Sequence, residues 1–310
     1  MTSKEVNEFL AGQLQEWPQA KGNYEALAGV EVKDLDVDGM HIKVQFNPAR
    51  AVSSSAKVDA KSLRERKCFL CAANRPDVQR GIEWGPGGRY VVLVNPFPIF
   101  PRHLTIPDQT HTDQLIVDRV EDMFDLAGEL DEYTVFYNGP KCGASAPDHM
   151  HFQAGNSDFL TVKENLAAAP LKELARDGEA TLSVTVKSPL NMFVIDAKDH
   201  KAGARLFKRL YAAMPVKEDE TEPMMNVLCY HTDRGERMVV IPRKKHRPSF
   251  YGTEGDGCML MSPASVDMGG VFITPRLEDY VKVDADIIRS IFDELCLSAQ
   301  ETAAIADKIK

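Results

Sequence analysis

The stretch from Phe136 to Gln153, FYNGPKCGASAPDHMHFQ, concentrates more chemically capable residues than any other part of the chain. His149, His151 and Gln153 stand two apart, so on a strand they would share one face. The preceding turn carries Gly139 and Gly143, and glycine lets backbone N–H groups approach an anion closely. Asn138 and Ser145 add neutral donors. An imidazole beside such a cradle is equipped to attack the phosphorus of a nucleoside phosphate, and His151 is the candidate nucleophile. The plainer alternative is a strand edge with two ordinary histidines. The convergence of nucleophile, glycine turn, neutral donors and a terminal amide within one short segment argues against it.

A second constellation is Cys68-x-x-Cys71, whose thiolates can share one tetrahedral zinc if two histidines complete the set. His103, His111, His149 and His231 are the candidates from spacing alone. A thioredoxin-like redox pair would need a following helix in a βαβ unit, which the sequence lacks. Two buried thiols without a metal are the remaining alternative. The run Arg243-Lys-Lys-His-Arg247 places basic residues together in an acidic protein. It reads either as a phosphate clamp, with Arg243 or Lys245 the better candidates, or as a solvated charge run. Arg50, at the end of a strand, and Asn95, at the head of a proline-rich turn, complete the candidate substrate contacts.

The elements that must position these groups follow from periodicity. Residues 1–18 show a helical apolar stripe. Residues 30–37, 41–46, 90–94, 103–106, 133–138 and 149–154 read as strands, and 112–130 as an amphipathic helix. The segment 51–67 reads as loop or short helix. The second half repeats this alternation, with strands at 181–186, 192–195, 225–231, 237–241 and 270–274, and helices at 202–213, 284–295 and 298–308. Pro107-Asp-Gln-Thr-His111 and Pro242-Arg-Lys-Lys-His246 echo one another at the ends of apolar runs. With the two successions of elements, the echo suggests a duplicated unit of about 150 residues, divided as 1–178 and 179–310.

Composition bounds the reading. The 310 residues are 44% hydrophobic, enough for a sizeable core. The net charge of −9 argues against non-specific nucleic-acid binding, which needs a basic face. No apolar run approaches a membrane span and the N-terminus reads as an amphipathic helix, so the expectation is a cytoplasmic protein. In that compartment the six cysteines are expected to be free of disulfides.

His149-Met-His151-Phe-Gln153, preceded by Asn138-Gly139 and Gly143-Ala-Ser145, resembles the active-site strand of the histidine-triad superfamily. The resemblance is to the branch in which glutamine replaces the third histidine: galactose-1-phosphate uridylyltransferase, diadenosine tetraphosphate phosphorylase and the GDP-hexose phosphorylases. His151-Phe-Gln-Ala154, and Phe46-Asn47 followed by Arg50, are most similar to the last. Residues 91–111 resemble the family's strand, proline turn, strand and Pro-x-x-x-His element. The resemblance implies an α+β fold of two halves, each an antiparallel sheet with packed helices, the second degenerate.

It also implies a structural zinc on Cys68, Cys71, His111 and His149, with no position left open for water, and no organic cofactor. The implied reaction is a double displacement through a nucleotidyl-His151. Gln153 donates a hydrogen bond to the phosphoryl group but cannot serve as an acid, which favours transfer over hydrolysis. The implied partners are a sugar nucleotide and phosphate or a sugar 1-phosphate, with pairing into homodimers. A dinucleoside polyphosphate phosphorylase or hydrolase, or a non-catalytic nucleotide-binding protein, are the alternatives. Asp148 departs from the uridylyltransferase pattern, in which proline directly precedes the first histidine.

Overall fold

The computed structural model describes residues 1–50, 60–255 and 257–309. Helix α1 (Ser3–Glu16) is closed at its start by a reciprocal Thr2–Glu5 capping box. Pro18 ends the stripe seen in the sequence and also opens α2 (Pro18–Leu27), because proline's fixed φ and missing N–H suit a first helical turn. Strands β1 (Glu31–Val37) and β2 (Met40–Phe46) form a hairpin around Asp38-Gly39, both at positive φ. Most of the expected loop or short helix at 51–67 lies outside the described residues; its described end carries α3 (Ala60–Glu65).

Five strands then assemble the first half of a large sheet: β3 (Gly81–Trp84), β4 (Tyr90–Val94), β5 (His103–Pro107), β6 (Tyr133–Asn138) and β7 (His151–Asn156). Helix α4 (Val120–Glu129) connects β5 to β6, and α5 (Val162–Ala168) follows β7. The second half is built from β8 (Leu171–Asp177), β9 (Ala180–Thr185), β10 (Phe193–Ala197), β11 (Met225–Thr232) and β12 (Gly235–Pro242), with α6 (His200–Ala213) between β10 and β11. The strand order is β3-β4-β5-β7-β6-β11-β12-β10-β9-β8, antiparallel throughout. Followed inward from either edge, the two halves have the same connectivity, with a helix between the third and fourth strands of each. They join as one continuous sheet through β6–β11 rather than as two separate sheets.

The duplication corrects one expectation. Pro107 ends β5, whereas Pro242 ends β12, the counterpart of β7. The two Pro-x-x-x-His runs are therefore not equivalent positions of the repeat. A division after residue 178 falls in the β8–β9 hairpin, and β8 pairs with the second set.

The helix expected over 112–130 is limited to α4. Residues 112–116 spend their backbone groups elsewhere: Met150 N–H donates to Thr112 O (2.7 Å), Gln114 N–H to Pro147 O (3.2 Å), and Ile116 N–H to Glu222 (3.1 Å). These tertiary bonds outcompete a helical periodicity that by itself would continue.

One face of the sheet packs against α1, α4, α6 and α10 (Ala299–Ile309) around Tyr90, Phe124, Tyr137, Phe152 and Phe207. The other face is treated differently in the two halves. Over the second half, Val194, Leu228, Val239 and Ile241 are covered by a smaller sheet, β1-β2-β13, with β13 (Val271–Thr274) parallel to β2, and by α9 (Ala285–Leu295). Two short helices, α7 (Ser265–Met268) and α8 (Leu277–Lys282), flank β13. Over the first half the same face forms the floor of a cavity. No helix among the described residues is long and apolar enough to cross a membrane.

Candidate active site

Strand register builds the cavity floor. Leu93 on β4 pairs with Thr105 on β5, Thr105 with Gln153 on β7, and Gln153 with Phe136 on β6. All four line a cavity of about 570 Å³. One step along each strand at the two-residue period, Asn95, His151 and Asn138 line it too. Gly143, Ser145 and Arg50 also lie in its wall, so seven residues expected from sequence to touch substrate converge on one site. Its size suits a nucleotide-scale ligand.

His151 is 3% exposed. Its Nδ1 lies 2.8 Å from the carbonyl oxygen of His149, which can only accept, so Nδ1–H donates and Nε2 carries the lone pair. Burial pulls the imidazole down to about 4, leaving it neutral at pH 7. The strand around it is clamped by Gln114, fully buried. Its amide donates to Asn138 O (3.0 Å) and His151 O (3.1 Å) and accepts from His151 N–H (2.8 Å).

Gln153 is oriented from behind by His103. Ile99 N–H donates to His103 Nδ1 (3.2 Å), so the proton sits on Nε2 and is donated to Gln153 Oε1 (3.0 Å). With its oxygen engaged, the Gln153 amide is left with its NH₂ group as a donor. Burial, with Arg50 beside it, pulls His103 down to about 3, so this tautomer is uncharged. Arg50 itself donates to Phe97 O (2.7 Å). In the sequence His103 stands only as a candidate metal ligand; its spacing of two from Thr105 on the floor strand was the available signal for this place.

His149 departs from expectation. It precedes β7 rather than continuing it, in a turn where its N–H bonds to Ala146 O (3.1 Å). It faces the thiols instead of the cavity. Cys68, Cys71, His111 and His149 bring one donor atom each within 4.8 Å of one another. Cys68 Sγ–His149 Nδ1 is 3.3 Å, Cys71 Sγ–His111 Nδ1 3.2 Å and Cys71 Sγ–His149 Nδ1 3.6 Å. The edges of a zinc-centred S₂N₂ tetrahedron are roughly 3.5 Å, so the donor set fits that ion. His149 Nε2–H donates to Asp108 O (2.7 Å), which leaves Nδ1 free as the ligand atom. Burial works against the Cys68 thiolate, but the His149 contact and the backbone N–H groups of Leu70 and Cys71 outweigh it and bring the thiol down to about 6. Asp148 lies 3.7 Å from His111 Nε2 and accepts from Arg66 (3.2 Å).

The basic run reads differently in three dimensions. Arg243 is 4% exposed and not part of the cavity wall. It donates to Asn226 Oδ1 (2.5 Å) and to the carbonyls of Pro263, Lys245 and His246. Lys245 is exposed and pairs with Glu294. Neither is positioned as a phosphate clamp: one is spent on carbonyls inside the fold, the other on a surface carboxylate. His246 and Arg247 line the cavity instead, with Ser262, Ala264 and Asp267. Asp267 is bound up with backbone N–H groups of Ala264 (2.8 Å) and Ile273 (3.0 Å), and burial raises it to about 6. Nothing in the period or spacing of Arg243–Arg247 distinguishes the inward residues from the others.

A five-strand unit built twice and fused edge to edge, with helices on one face and a histidine-lined cavity on the other, defines a duplicated α+β fold. The comparisons agree. Residues 9–156 match the profile described as a domain of unknown function, DUF4922, and residues 165–310 match the GDPGP1-like C-terminal domain. Among solved structures, yeast Ap4A phosphorylase Apa2 superposes with a TM-score of 0.60 at 18% identity, over 91% of this chain and 95% of that one. The same enzyme in complex with Ap4A gives 0.60 at 16% identity, over 92% and 97%. No curated protein sequence matches. The C-terminal half is therefore GDPGP1-like, and the chain as a whole shares the fold of these phosphorylase structures.

Proposed function

We propose that the protein is a nucleotidyl-transferring phosphorylase that acts on a nucleoside diphosphate hexose through a covalent nucleotidyl-His151. One observation carries the reading: His151 stands on the cavity floor with Nδ1–H held by the His149 carbonyl and Nε2 unprotonated, two residues from the Gln153 amide. In the first step Nε2 attacks the α-phosphorus and the bond to the sugar 1-phosphate breaks. In the second an oxygen of inorganic phosphate, or of another sugar 1-phosphate, attacks the same phosphorus and the N–P bond breaks, restoring the imidazole. Gln153 donates to the phosphoryl oxygens as charge develops. The turn at Asn138–Ser145 and Arg50 supply further donors, and Asn95 contacts the nucleotide.

Zinc on Cys68, Cys71, His111 and His149 is structural in this reading. Bound there, it offers no water-activating position, and its ligands pin the lead-in to β7. A second reading, transfer from a dinucleoside polyphosphate, draws support from the shared fold with yeast Ap4A phosphorylase, whose structures include complexes with AMP and Ap4A.

The test is intact-protein mass spectrometry after incubation with GDP-mannose, GDP-glucose, UDP-glucose, ADP-glucose or diadenosine tetraphosphate, with phosphate withheld. The expected result is a gain of one nucleoside monophosphate, absent in His151→Ala, and the donor that reacts separates the two readings. Binding without any adduct or phosphate-dependent turnover would make the protein a nucleotide-binding one.

A further inference from the structure

The charge balance of the segment after β12 points to a second anion site. Of its basic side chains, Arg243 is buried on carbonyls, Lys244 lies 3.8 Å from Glu301, and Lys245 pairs with Glu294. Arg247 is the exception. Its Nε donates to Ser262 Oγ (2.9 Å) and its guanidinium lies over the Tyr251 ring (4.2 Å to the centroid). It has no carboxylate partner among the described residues, in a chain of 46 acidic and 37 basic side chains. Both Arg247 and Ser262 line the same cavity as His151.

The place of this group is fixed from two sides. Arg243 holds the carbonyls of Lys245 (3.2 Å), His246 (3.1 Å) and Pro263 (3.2 Å), which ties the Arg247 segment to the Ser262–Ala264 segment. Ala264 in turn packs on the glycine turn of the first half: Gly143 sits at φ +99°, and any Cβ there would collide with Ala264. Arg247 and Ser262 thus adjoin the glycine turn that lines the cavity together with His151. His246 adds a half-buried imidazole. Burial, then Arg247, Arg243 and Lys141, pull it down to about 4, so it faces a positive field.

Resting on the nucleotidyl-transfer reading, we propose that Arg247, with His246 and Ser262, forms the acceptor subsite that holds a phosphate dianion, as inorganic phosphate or as the phosphoryl group of a sugar 1-phosphate. A guanidinium with its Nη groups uncommitted offers two parallel donors to such an anion, and stacking on Tyr251 holds its plane. The attacking oxygen would then approach from the second half while the nucleotide sits over the first.

The test measures binding before turnover. Inorganic phosphate and glucose 1-phosphate are titrated separately into the full chain by calorimetry, for wild type, Arg247→Ala, Arg247→Lys and Lys245→Ala. We expect about a 10- to 100-fold weaker affinity in Arg247→Ala, partial recovery in Arg247→Lys, and none of this loss in Lys245→Ala. Glucose 1-phosphate binding more tightly than phosphate, through Arg247, names the sugar phosphate as occupant; the reverse order names the free ion. Circular dichroism confirms folding, and Arg247→Lys serves if the alanine variant does not fold. Equal affinity in wild type and both Arg247 variants overturns the subsite, whether or not a nucleotidyl adduct forms. Arg247-dependent phosphate binding without any adduct leaves the subsite standing and removes the transfer reading.

Discussion

Replacing Gln114 by Met tests whether the strand that carries His151 is held from behind. Methionine nearly matches the volume but can neither donate nor accept in the same way. The change strands three buried backbone groups at once: Asn138 O, His151 O and His151 N–H, now 3.0, 3.1 and 2.8 Å from the amide. Gln114 is fully buried, so water cannot take over. Each unsatisfied group costs about 1–3 kcal/mol. Relaxation and partial re-pairing reduce the sum, and a total loss of roughly 3–5 kcal/mol is expected, a large part of a domain's stability. Urea denaturation followed by circular dichroism measures it, with a lowered midpoint and an unchanged slope. Because the same bonds set the position of His151, adduct formation should slow even where the variant is fully folded. A loss below about 1 kcal/mol with normal adduct formation would refute the clamp, since three stranded groups cannot cost so little.

Three further outcomes follow. Burial raises Glu222 to about 7, against bonds from Tyr137 Oη–H (2.5 Å) and Ile116 N–H (3.1 Å) that favour its charge. Its folded value lies above the ordinary carboxylate value, so its protonated form contributes stability below pH about 4.5, and this is lost as pH rises through about 7. Wild type should therefore lose about 3 kcal/mol of stability relative to Glu222→Gln as pH rises across that window; a flat difference in pH-dependent unfolding contradicts it. His103→Phe keeps the ring packing with Phe100 (5.2 Å) and Phe136 (6.0 Å) but frees Gln153 to turn. We expect the fold retained and kcat lowered about 10-fold with KM little changed, as for a group acting mainly in the transition state; unaltered kcat removes the positioning role. Stripping metal with a chelator should lower Tm and expose Cys68 and Cys71 to a thiol reagent, both restored by zinc; equal thiol reactivity before and after would argue for bare thiols.

Legibility in the sequence followed the physics of each element. Buried strands such as Tyr90–Val94 and Tyr133–Asn138 announce themselves because most of their residues are β-branched, apolar or aromatic and turn residues bound them. The strand β8 does not, since LKELARD lies on the sheet edge and is largely exposed. The Cys68-x-x-Cys71 half of the thiol–imidazole cluster was readable from its spacing, whereas four histidines remained open and only the family resemblance selected His111 and His149. His151 and Gln153 on one face were readable from the two-residue period, while His149 was misplaced because a turn, not the strand, carries it. The basic run failed for a different reason. Which of Arg243, Lys245 and Arg247 reaches the cavity depends on Asn226, Pro263 and Glu294, residues far away in sequence.

The most direct test of the covalent mechanism is a rapid-quench experiment with a donor labelled at the α-phosphorus, using the donor that reacts in the mass-spectrometric panel. The account predicts label bound to protein through an acid-labile, base-stable N–P bond at His151. That label should form and, on adding phosphate, disappear at least as fast as kcat. Steady turnover with no protein-bound label, or turnover that survives His151→Ala, would contradict it.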